Sequence, residues 1–178
     1  MAKVRPPIPV SSEPIIETHC HLDYLKEHVI EHTLSECKRV GISKIITIAV
    51  SPDNLQTVRD LTEKDPMIFG TQGIHPHQAS LFNDEVSREI DEHLSIDKIV
   101  AVGEIGLDYY YNKSPKEAQE EAFTRQLELA IKHNLPVVIH SRDADEDMIR
   151  ILKQYAPQMK RKGVIHSFTS GEELAKEA

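Results

Sequence analysis

The sequence lacks a basic surface, a cysteine framework and a long apolar run. Lys and Arg number 21 against 29 Asp and Glu, a formal net charge of −8, which excludes binding of nucleic acid through a broad positive surface. The two cysteines, Cys20 and Cys37, are too few for a disulfide scaffold. No apolar run approaches the roughly 18 residues of a membrane helix, and residues 1–14 show no secretory signal. These absences predict a cytoplasmic protein that does not enter membranes.

Length and composition fit a single globular domain. The chain has 178 residues, of which 39% are hydrophobic and 28% charged, close to ordinary globular usage and to about 150 residues per domain. There is no internal repeat and no linker rich in Gly and Ser. Four prolines in residues 1–14 predict an extended lead-in, so the domain is expected over residues 15–178.

Short apolar runs alternate with longer amphipathic segments along this domain. Runs such as Val137-Val138-Ile139 are typical of parallel strands covered on both faces. Strands are predicted at Ile15–Thr18, Lys44–Val50, Met67–Gly73, Lys98–Glu104, Pro136–His140 and Gly163–His166. The segments between them have helical spacing, and Ser114-Pro115 predicts a helix with Ser114 as its N-cap. The alternation predicts an α/β fold with a parallel sheet, either closed as a barrel or open and doubly wound.

Potential metal ligands follow four of the six predicted strands. His19 and His21 are two apart, so on an extended segment they point to the same side at a spacing of ~6.6 Å. Glu104, His140 and His166 end the fourth, fifth and sixth strands. Because the carboxyl ends of parallel strands form the functional face of α/β folds, the set predicts a metal centre with nitrogen and oxygen ligands, suited to zinc or manganese.

Each of these residues also has a structural interpretation when taken alone. A His-x-His pair can be incidental, Glu104 can cap a helix or pair with Arg142, and His140 can be a hydrogen-bonded core histidine. Their shared location at successive strand ends favours the metal centre, because independent structural histidines have no reason to occupy such positions.

Three further features lie near the predicted centre. His75 follows the third strand in a Gly-Ile-His-Pro-His segment, which is either functional or a proline-fixed turn. Arg142, two residues past His140, suits a phosphate or carboxylate group or a salt bridge to a nearby acid. Residues 109–111 are three consecutive tyrosines, either a stacking platform for a base or a packed loop.

With these motifs the chain resembles the TatD family of metal-dependent hydrolases. The matching stretches are IIETHCHLD (15–23), GIHPH (73–77), VGEIGLDYY (102–110), PVVIHSRDA (136–144) and VIHSFTSG (164–171), in family order and at family-like spacing. The resemblance implies a TIM-barrel-type metallo-dependent hydrolase fold. It also implies a two-metal phosphodiesterase that acts on DNA or nucleotides, often as an exonuclease.

The resemblance also implies roles by position. The ligands implied for two divalent ions (Mg, Mn or Zn) are His19 and His21 for the first, His140 and His166 for the second, and Glu104 as the bridge. The residues implied at the substrate are His75, Arg142 and Tyr109, and the catalytic roles are those of Glu104, His75 and Arg142.

Two departures from the family pattern bear on this expectation. Glu17 stands where the family usually has Asp. A complete barrel needs about 250 residues, so this chain is expected to supply about six of the eight strand–helix units. The family's last ligand, an Asp after a later strand, has no counterpart here. The sequence thus predicts a C-terminally truncated barrel that self-associates through exposed edges and turns over slowly.

Two other functions stay open. One is a hydrolase of the same fold group that cleaves C–N bonds or lactones. Many of those bridge their metals with a carboxylated lysine, whereas here Glu104 holds the strand end and Lys98 begins the strand, which favours the phosphodiesterase. The other is a catalytically impaired fragment, or a metal-binding domain that works with a partner.

Overall fold

The computed structural model describes residues 8–178. Of the expected lead-in, residues 8–14 contain neither helix nor strand, and residues 1–7 lie outside the described residues. The strands are β1 (Ile15–Cys20), β2 (Ile42–Thr47), β3 (Ile68–Gln72), β4 (Ile99–Asp108), β5 (Val137–Arg142) and β6 (Gly163–Ile165). The helices are α1 (Glu27–Arg39), α2 (Pro52–Lys64), α3 (Asp84–His93), α4 (Lys116–His133), α5 (Asp145–Tyr155) and α6 (Glu172–Glu177). Short 3-10 turns cover Leu22–Tyr24, Pro76–Leu81 and Ala156–Gln158.

The order of the strands identifies the architecture. All six strands pair in parallel, and their order in the sheet is the order of the sequence, from β1 to β6. A doubly wound sheet reverses its order at a switch point, whereas a sequential order with helices between the strands is the winding of a β/α barrel. The structure therefore confirms an α/β barrel-type fold, and the described residues supply six of its strands.

The main core lies between the sheet and the helices. Phe123, Leu127 and Ala130 on α4 are fully buried, as their helical spacing predicts, and each fully buried large apolar side chain stabilises the fold by about 1.5–3 kcal/mol. A second apolar cluster packs Ile30 and Leu34 of α1 against the sheet. Both clusters pack the helices against the sheet and so position the carboxyl ends of the strands.

The start of α4 differs from the sequence prediction. The helix begins at Lys116 and its N-cap residue is Pro115, so the prediction of Ser114 as N-cap is wrong. The Ser114 hydroxyl instead donates to the His77 carbonyl at 3.2 Å and accepts from the Ser80 N–H at 3.2 Å. The hydroxyl therefore ties the loop after β4 to the loop after β3, both of which lie at the carboxyl end of the sheet.

Strand β4 continues to Asp108, beyond its predicted end at Glu104. Its pairing with β5 joins Gly103 to Val138 and then Ile105 to Ile139, which leaves Glu104 as the extra residue of a bulge. Bulges redirect side chains and are frequent beside functional sites. Two residues on, Gly106 has φ +135° and lies so close to the His140 carbonyl that a Cβ would collide with it, so glycine is required there.

The first and last strands form the edges of the sheet. Within residues 8–178, β1 and β6 each pair on one side only, and Ile16 and Val164 on these strands are each 53% exposed. Self-association through such edges stays a prediction. In the same part of the chain, no helix combines the length and the apolar character needed to cross a bilayer.

Candidate metal centre

Glu104 lies at the middle of a cluster of histidines. The β4 bulge turns its side chain into the carboxyl end of the sheet, where the residue is only 4% exposed. Four imidazole nitrogens surround its carboxylate: His166 Nε2 at 2.7 Å, His140 Nδ1 at 3.2 Å, His19 Nε2 at 3.4 Å and His75 Nε2 at 3.6 Å. Side chains from β1, β5 and the loops after β3 and β6 thus converge on one group from β4.

The two oxygens of Glu104 face different histidines. Oε2 faces His19, whereas Oε1 faces His75, His140 and His166. Donor atoms of His19, His21 and Glu104 lie within 4.8 Å of one another, and so do those of His75, Glu104 and His140. Two potential metal sites therefore share one carboxylate.

The first site uses the end of β1 and the residue after it. His21 Nδ1 donates to the Ile48 carbonyl at 3.2 Å, which leaves the lone pair of Nε2 free for a ligand. The His19 N–H donates to Glu17 Oε1 at 3.0 Å, so Glu17 orders the backbone of this segment. His19 Nδ1 is buried and has no hydrogen-bond partner within the described residues, and a buried orphan nitrogen is typical of a site built for a ligand.

The second site is organised by Asp108, a residue that the sequence analysis did not single out. Asp108 is fully buried, and its Oδ2 accepts from His140 Nε2 and His77 Nε2, each at 2.9 Å. The other nitrogen of the same ring, Nδ1, faces Glu104 Oε1 at 3.2 Å. A ring between two carboxylates is stable only with a proton or a cation between Nδ1 and Glu104, so this position accepts either one.

His75 differs from the other histidines of the cluster. Its Nδ1 accepts the His77 N–H at 3.1 Å, so the ring proton resides on Nε2, the atom that faces Glu104. Burial lowers the pKa of His75 to about 3, and the ring is neutral at physiological pH. A neutral ring with Nε2 protonated donates a hydrogen bond and has no lone pair for a cation. His166 Nε2 also lies within hydrogen-bond distance of Oε1, at 2.7 Å, so this oxygen is in contact with a third imidazole besides those of His75 and His140.

The electrostatics of the cluster favour an ionised carboxylate. Burial opposes the ionisation of Glu104, but hydrogen bonds from His140, His166 and His19 outweigh it and hold its pKa well below the usual range. Burial likewise lowers the pKa of His140, but its bonds to Glu104 and Asp108 outweigh that effect and raise it. The charged carboxylate among imidazole nitrogens is the ligand chemistry of borderline divalent ions such as zinc and manganese.

Two of the predicted site residues contact other groups. The Arg142 guanidinium lies over the ring of Tyr110 at 4.3 Å, and among the described residues no carboxylate lies within salt-bridge distance of it. The Tyr109 hydroxyl donates to Asp147 at 3.0 Å, and Lys116 covers its ring at 3.9 Å. The structure thus brings His19, His21, His75, Glu104, His140 and His166 together, whereas Tyr109 packs between α4 and α5.

Comparison with known proteins gives a consistent result. The sequence profile of TatD related DNases matches residues 16–178. The uncharacterized metal-dependent hydrolase YabD of Bacillus subtilis is 34% identical over 164 residues, which cover 92% of this chain and 64% of that protein. A protein of Pectobacterium carotovorum named 3'-5' ssDNA/RNA exonuclease TatD is 36% identical over 140 residues, which cover 78% of this chain and 54% of that protein.

A solved structure agrees with these sequence matches. The crystal structure of YjjV, a TatD homolog from Escherichia coli K12, superposes with a TM-score of 0.83 at 32% identity. The superposition covers 91% of this chain and 63% of that protein. The chain therefore spans less than two thirds of the length of these relatives.

Proposed function

The chain belongs to the family of TatD-related DNases, and from this premise we propose that it is a metal-dependent hydrolase of phosphodiester bonds that shortens DNA from one end. The observation that carries the proposal is the single buried carboxylate of Glu104 between two sets of imidazole nitrogens. The residues on the two sides of Glu104 would hold one divalent ion each, and two such ions would neutralise the charge of a phosphate. A relative named 3'-5' ssDNA/RNA exonuclease supports a nucleic acid as the substrate, and the family's description as DNases favours DNA.

We assign the ligands by their position in the family motifs and by the oxygen of Glu104 that they face. His19 and His21 would hold a cation on the Oε2 side of Glu104, and His140 and His166 would hold one on the Oε1 side. When bound, two divalent ions supply Lewis-acid activation of water and neutralise charge on the phosphate. The Ile48 carbonyl accepts from His21 Nδ1, which leaves the lone pair of Nε2 available, and Asp108 accepts from His140 Nε2, which turns Nδ1 toward Glu104.

His75 and Arg142 act on the substrate in this proposal. His75 keeps its proton on Nε2 and is neutral, so it donates a hydrogen bond to a phosphate oxygen without competing for the cations. Arg142 has an exposed guanidinium near the mouth of the site and binds a phosphate of the nucleic acid. Local positive charge thus explains how a chain with a net charge of −8 handles a polyanion.

The state of Lys98 favours phosphodiester hydrolysis over cleavage of C–N bonds. Lys98 lies just before β4, and its Nζ donates to the carbonyls of Thr62 and Asp65, at 2.5 and 2.8 Å. An ammonium group engaged in this way, at the amino end of the sheet, has no access to the cation sites. Glu104 supplies the bridging oxygens instead of a carboxylated lysine.

We also propose that the protein is located in the cytoplasm and associates with a second copy of itself. Cys20 and Cys37 are free thiols, as a reducing cytoplasm requires. The unpaired edges of β1 and β6 and the exposed Ile16 and Val164 favour a second copy as partner. Multi-angle light scattering of the purified protein is expected to give more than one chain per particle, and the Ile16→Lys variant is expected to shift it toward one.

Hydrolysis of labelled single-stranded DNA tests the function. The purified protein is expected to shorten the strand progressively in Mg²⁺, Mn²⁺ or Zn²⁺ and to do nothing in EDTA. Glu104→Gln and His166→Ala are expected to reduce the rate by about 100-fold or more, whereas Glu117→Gln, an exposed glutamate on α4, retains it. Hydrolysis of dihydropyrimidines or lactones but not DNA, or DNA cleavage that survives Glu104→Gln, contradicts the proposal.

A further inference from the structure

Three tyrosine rings are exposed around the mouth of the metal centre. Tyr24 is 70% exposed, Tyr110 57% and Tyr111 53%. Tyr24 lies just after β1, and Tyr110 and Tyr111 follow β4 directly, the two strands whose ends carry the first cation site and Glu104. Large aromatic groups left in water beside a site are typical of ligand contacts rather than of packing.

Contacts between rings connect these tyrosines to the site. Tyr24 stacks on His21 with a centroid distance of 4.8 Å and an interplanar angle of 10°. Tyr111 contacts His77 edge to face at 5.4 Å. His21, Tyr24, His77 and Glu104 line one pocket of about 250 Å³, so Tyr24 approaches the pocket through His21 and Tyr111 approaches it through His77.

Two positively charged side chains pack against the rings of Tyr110 and Tyr111. Arg142 lies over both rings, at 4.3 and 5.3 Å from their centroids, and Lys113 lies over Tyr111 at 5.9 Å. Within residues 8–178 neither side chain has a carboxylate oxygen inside 4.0 Å, although in the full sequence acidic residues outnumber basic ones by 29 to 21. We call Tyr110, Tyr111, Lys113 and Arg142 the tyrosine wall.

We propose that the tyrosine wall and Tyr24 bind the unpaired bases of a single-stranded polynucleotide on two sides of the pocket. The proposal rests on the proposed function, because it supplies the phosphodiester that the pocket receives. Unpaired bases expose the faces that stack on tyrosine rings, and such stacking tolerates any sequence. Lys113 and Arg142 offer unpaired positive charge to the adjoining phosphates.

A duplex does not satisfy this surface. Its bases are stacked on one another and present only their edges in the grooves, so the three exposed rings would find no partner. Non-specific binding of a duplex also depends on many phosphate contacts, which an acidic chain with two free cations at this position does not provide. The surface therefore selects single strands by the accessibility of their bases.

Binding of oligonucleotides in the presence of EDTA tests the tyrosine wall and Tyr24 without any contribution from metal ions. Fluorescence anisotropy is measured with a labelled eight-nucleotide oligothymidylate, an abasic strand of equal length, and a duplex. The single strand is expected to bind most tightly. Tyr24→Ala and Tyr110→Ala are each expected to weaken it by roughly 5- to 100-fold, the range of one lost base stack, and to leave abasic binding unaltered. Phenylalanine at either position restores binding, because it retains the ring.

Two arginine variants test the contribution of charge to binding, and the intrinsic fluorescence of tyrosine gives a second measurement of it. Arg142→Ala is expected to weaken every strand and to reduce the salt dependence of binding, whereas Arg161→Ala, an exposed arginine just before β6 at the other end of the sheet, changes neither. The chain contains five tyrosines and no tryptophan, so intrinsic emission reports on tyrosine, and the oligothymidylate is expected to quench it. Circular dichroism verifies that each variant is folded.

The outcomes separate this inference from the proposed function. Equal binding of the base-containing and abasic strands, or a duplex bound as tightly as a single strand, overturns the tyrosine wall even if methyl 4-nitrophenyl phosphate is hydrolysed with Mn²⁺. Conversely, ring-dependent binding without any hydrolysis of that base-free diester supports the wall and overturns the proposed function. Variants that lose a ring and bind as the original protein does also overturn the wall.

Discussion

Replacement of Glu104 by Gln removes the one negative charge that both donor groups contain. Loss of a hydrogen-bond partner behind a metal-bound histidine already costs about 10- to 100-fold in metal affinity. Because Glu104 itself contributes a donor oxygen on each side, the expected loss is about 100-fold or more for every bound ion, or at least about 2.7 kcal/mol. Variants on one side, such as His21→Ala or His166→Ala, are expected to weaken only the ion on that side.

The fold is expected to survive this replacement. Gln has nearly the same volume as Glu and can still accept a hydrogen bond from His166, which now lies 2.7 Å from the carboxylate. Exchanging a charged acceptor for a neutral one costs about 1 kcal/mol, and for a chain of this size that lowers the Tm by about 2–4 °C. The variant thus separates metal affinity from stability.

Isothermal titration calorimetry with Mn²⁺ measures the affinity, and differential scanning calorimetry without metal measures the Tm. Glu117→Gln, which makes the same chemical change at an exposed position of α4, is the control and is expected to match the original protein in both. Folded Glu104→Gln protein that binds Mn²⁺ within threefold of the original affinity would refute the assignment of a shared carboxylate.

Three other substitutions examine the support of the centre and the stability of the fold. Asp108→Asn is expected to weaken the ion on the His140 side by about 10- to 100-fold and to spare the other side, as measured by the same titration. Gly106→Ala is expected to destabilise the fold by roughly 2–4 kcal/mol, because its positive φ and the crowded His140 carbonyl each add cost; a lower urea midpoint at unchanged slope would show it. The hydrogen bonds of Asp65 with Lys38 and the Met67 N–H lower the pKa of this carboxyl below 3.8, so its contribution is present above that pH and disappears as the pH falls through the folded value. Asp65→Asn is therefore expected to cost about 1 kcal/mol at about pH 7 and progressively less as the pH is lowered through the folded pKa, in a series of urea titrations at decreasing pH.

The apolar pattern predicts the strands well but not where the longest one ends. The sequence prediction ends β4 at Glu104, yet the strand runs on to Asp108 because glycine at position 106 permits the close approach to His140. The bulge at Glu104 also shifts the side chains that follow. Glycine inside a strand pattern is a signal of a bulge, and Gly103 precedes Glu104 directly, but the signal does not say which residue is the extra one. Sequential strand order likewise depends on packing of the helices on the sheet, which periodicity does not encode.

The candidate centre is partly visible in the sequence for a physical reason. The carboxyl ends of parallel strands all lie at the same end of the sheet. The proximity of His19, Glu104 and His140 can therefore be predicted from their positions at strand ends alone. The tautomers of these histidines cannot be predicted in this way, because they depend on hydrogen-bond partners far away in the chain, such as the Ile48 carbonyl for His21. Asp108 has a signal that could have been found: it lies four residues after Glu104, at an even strand spacing, in a continuously buried segment.

The stacked rings of His19 and His166, 4.0 Å apart, belong to the beginning and the end of the described chain. The sheet bends far enough for its two outermost strands to meet above Glu104, although they share no backbone hydrogen bonds. Two ions that share Glu104, one held from β1 and the other from the residue after β6, would together act as a cross-link that closes a loop through most of the polypeptide. Occupancy of the centre and resistance to unfolding would then rise together with ion concentration, as mass action requires.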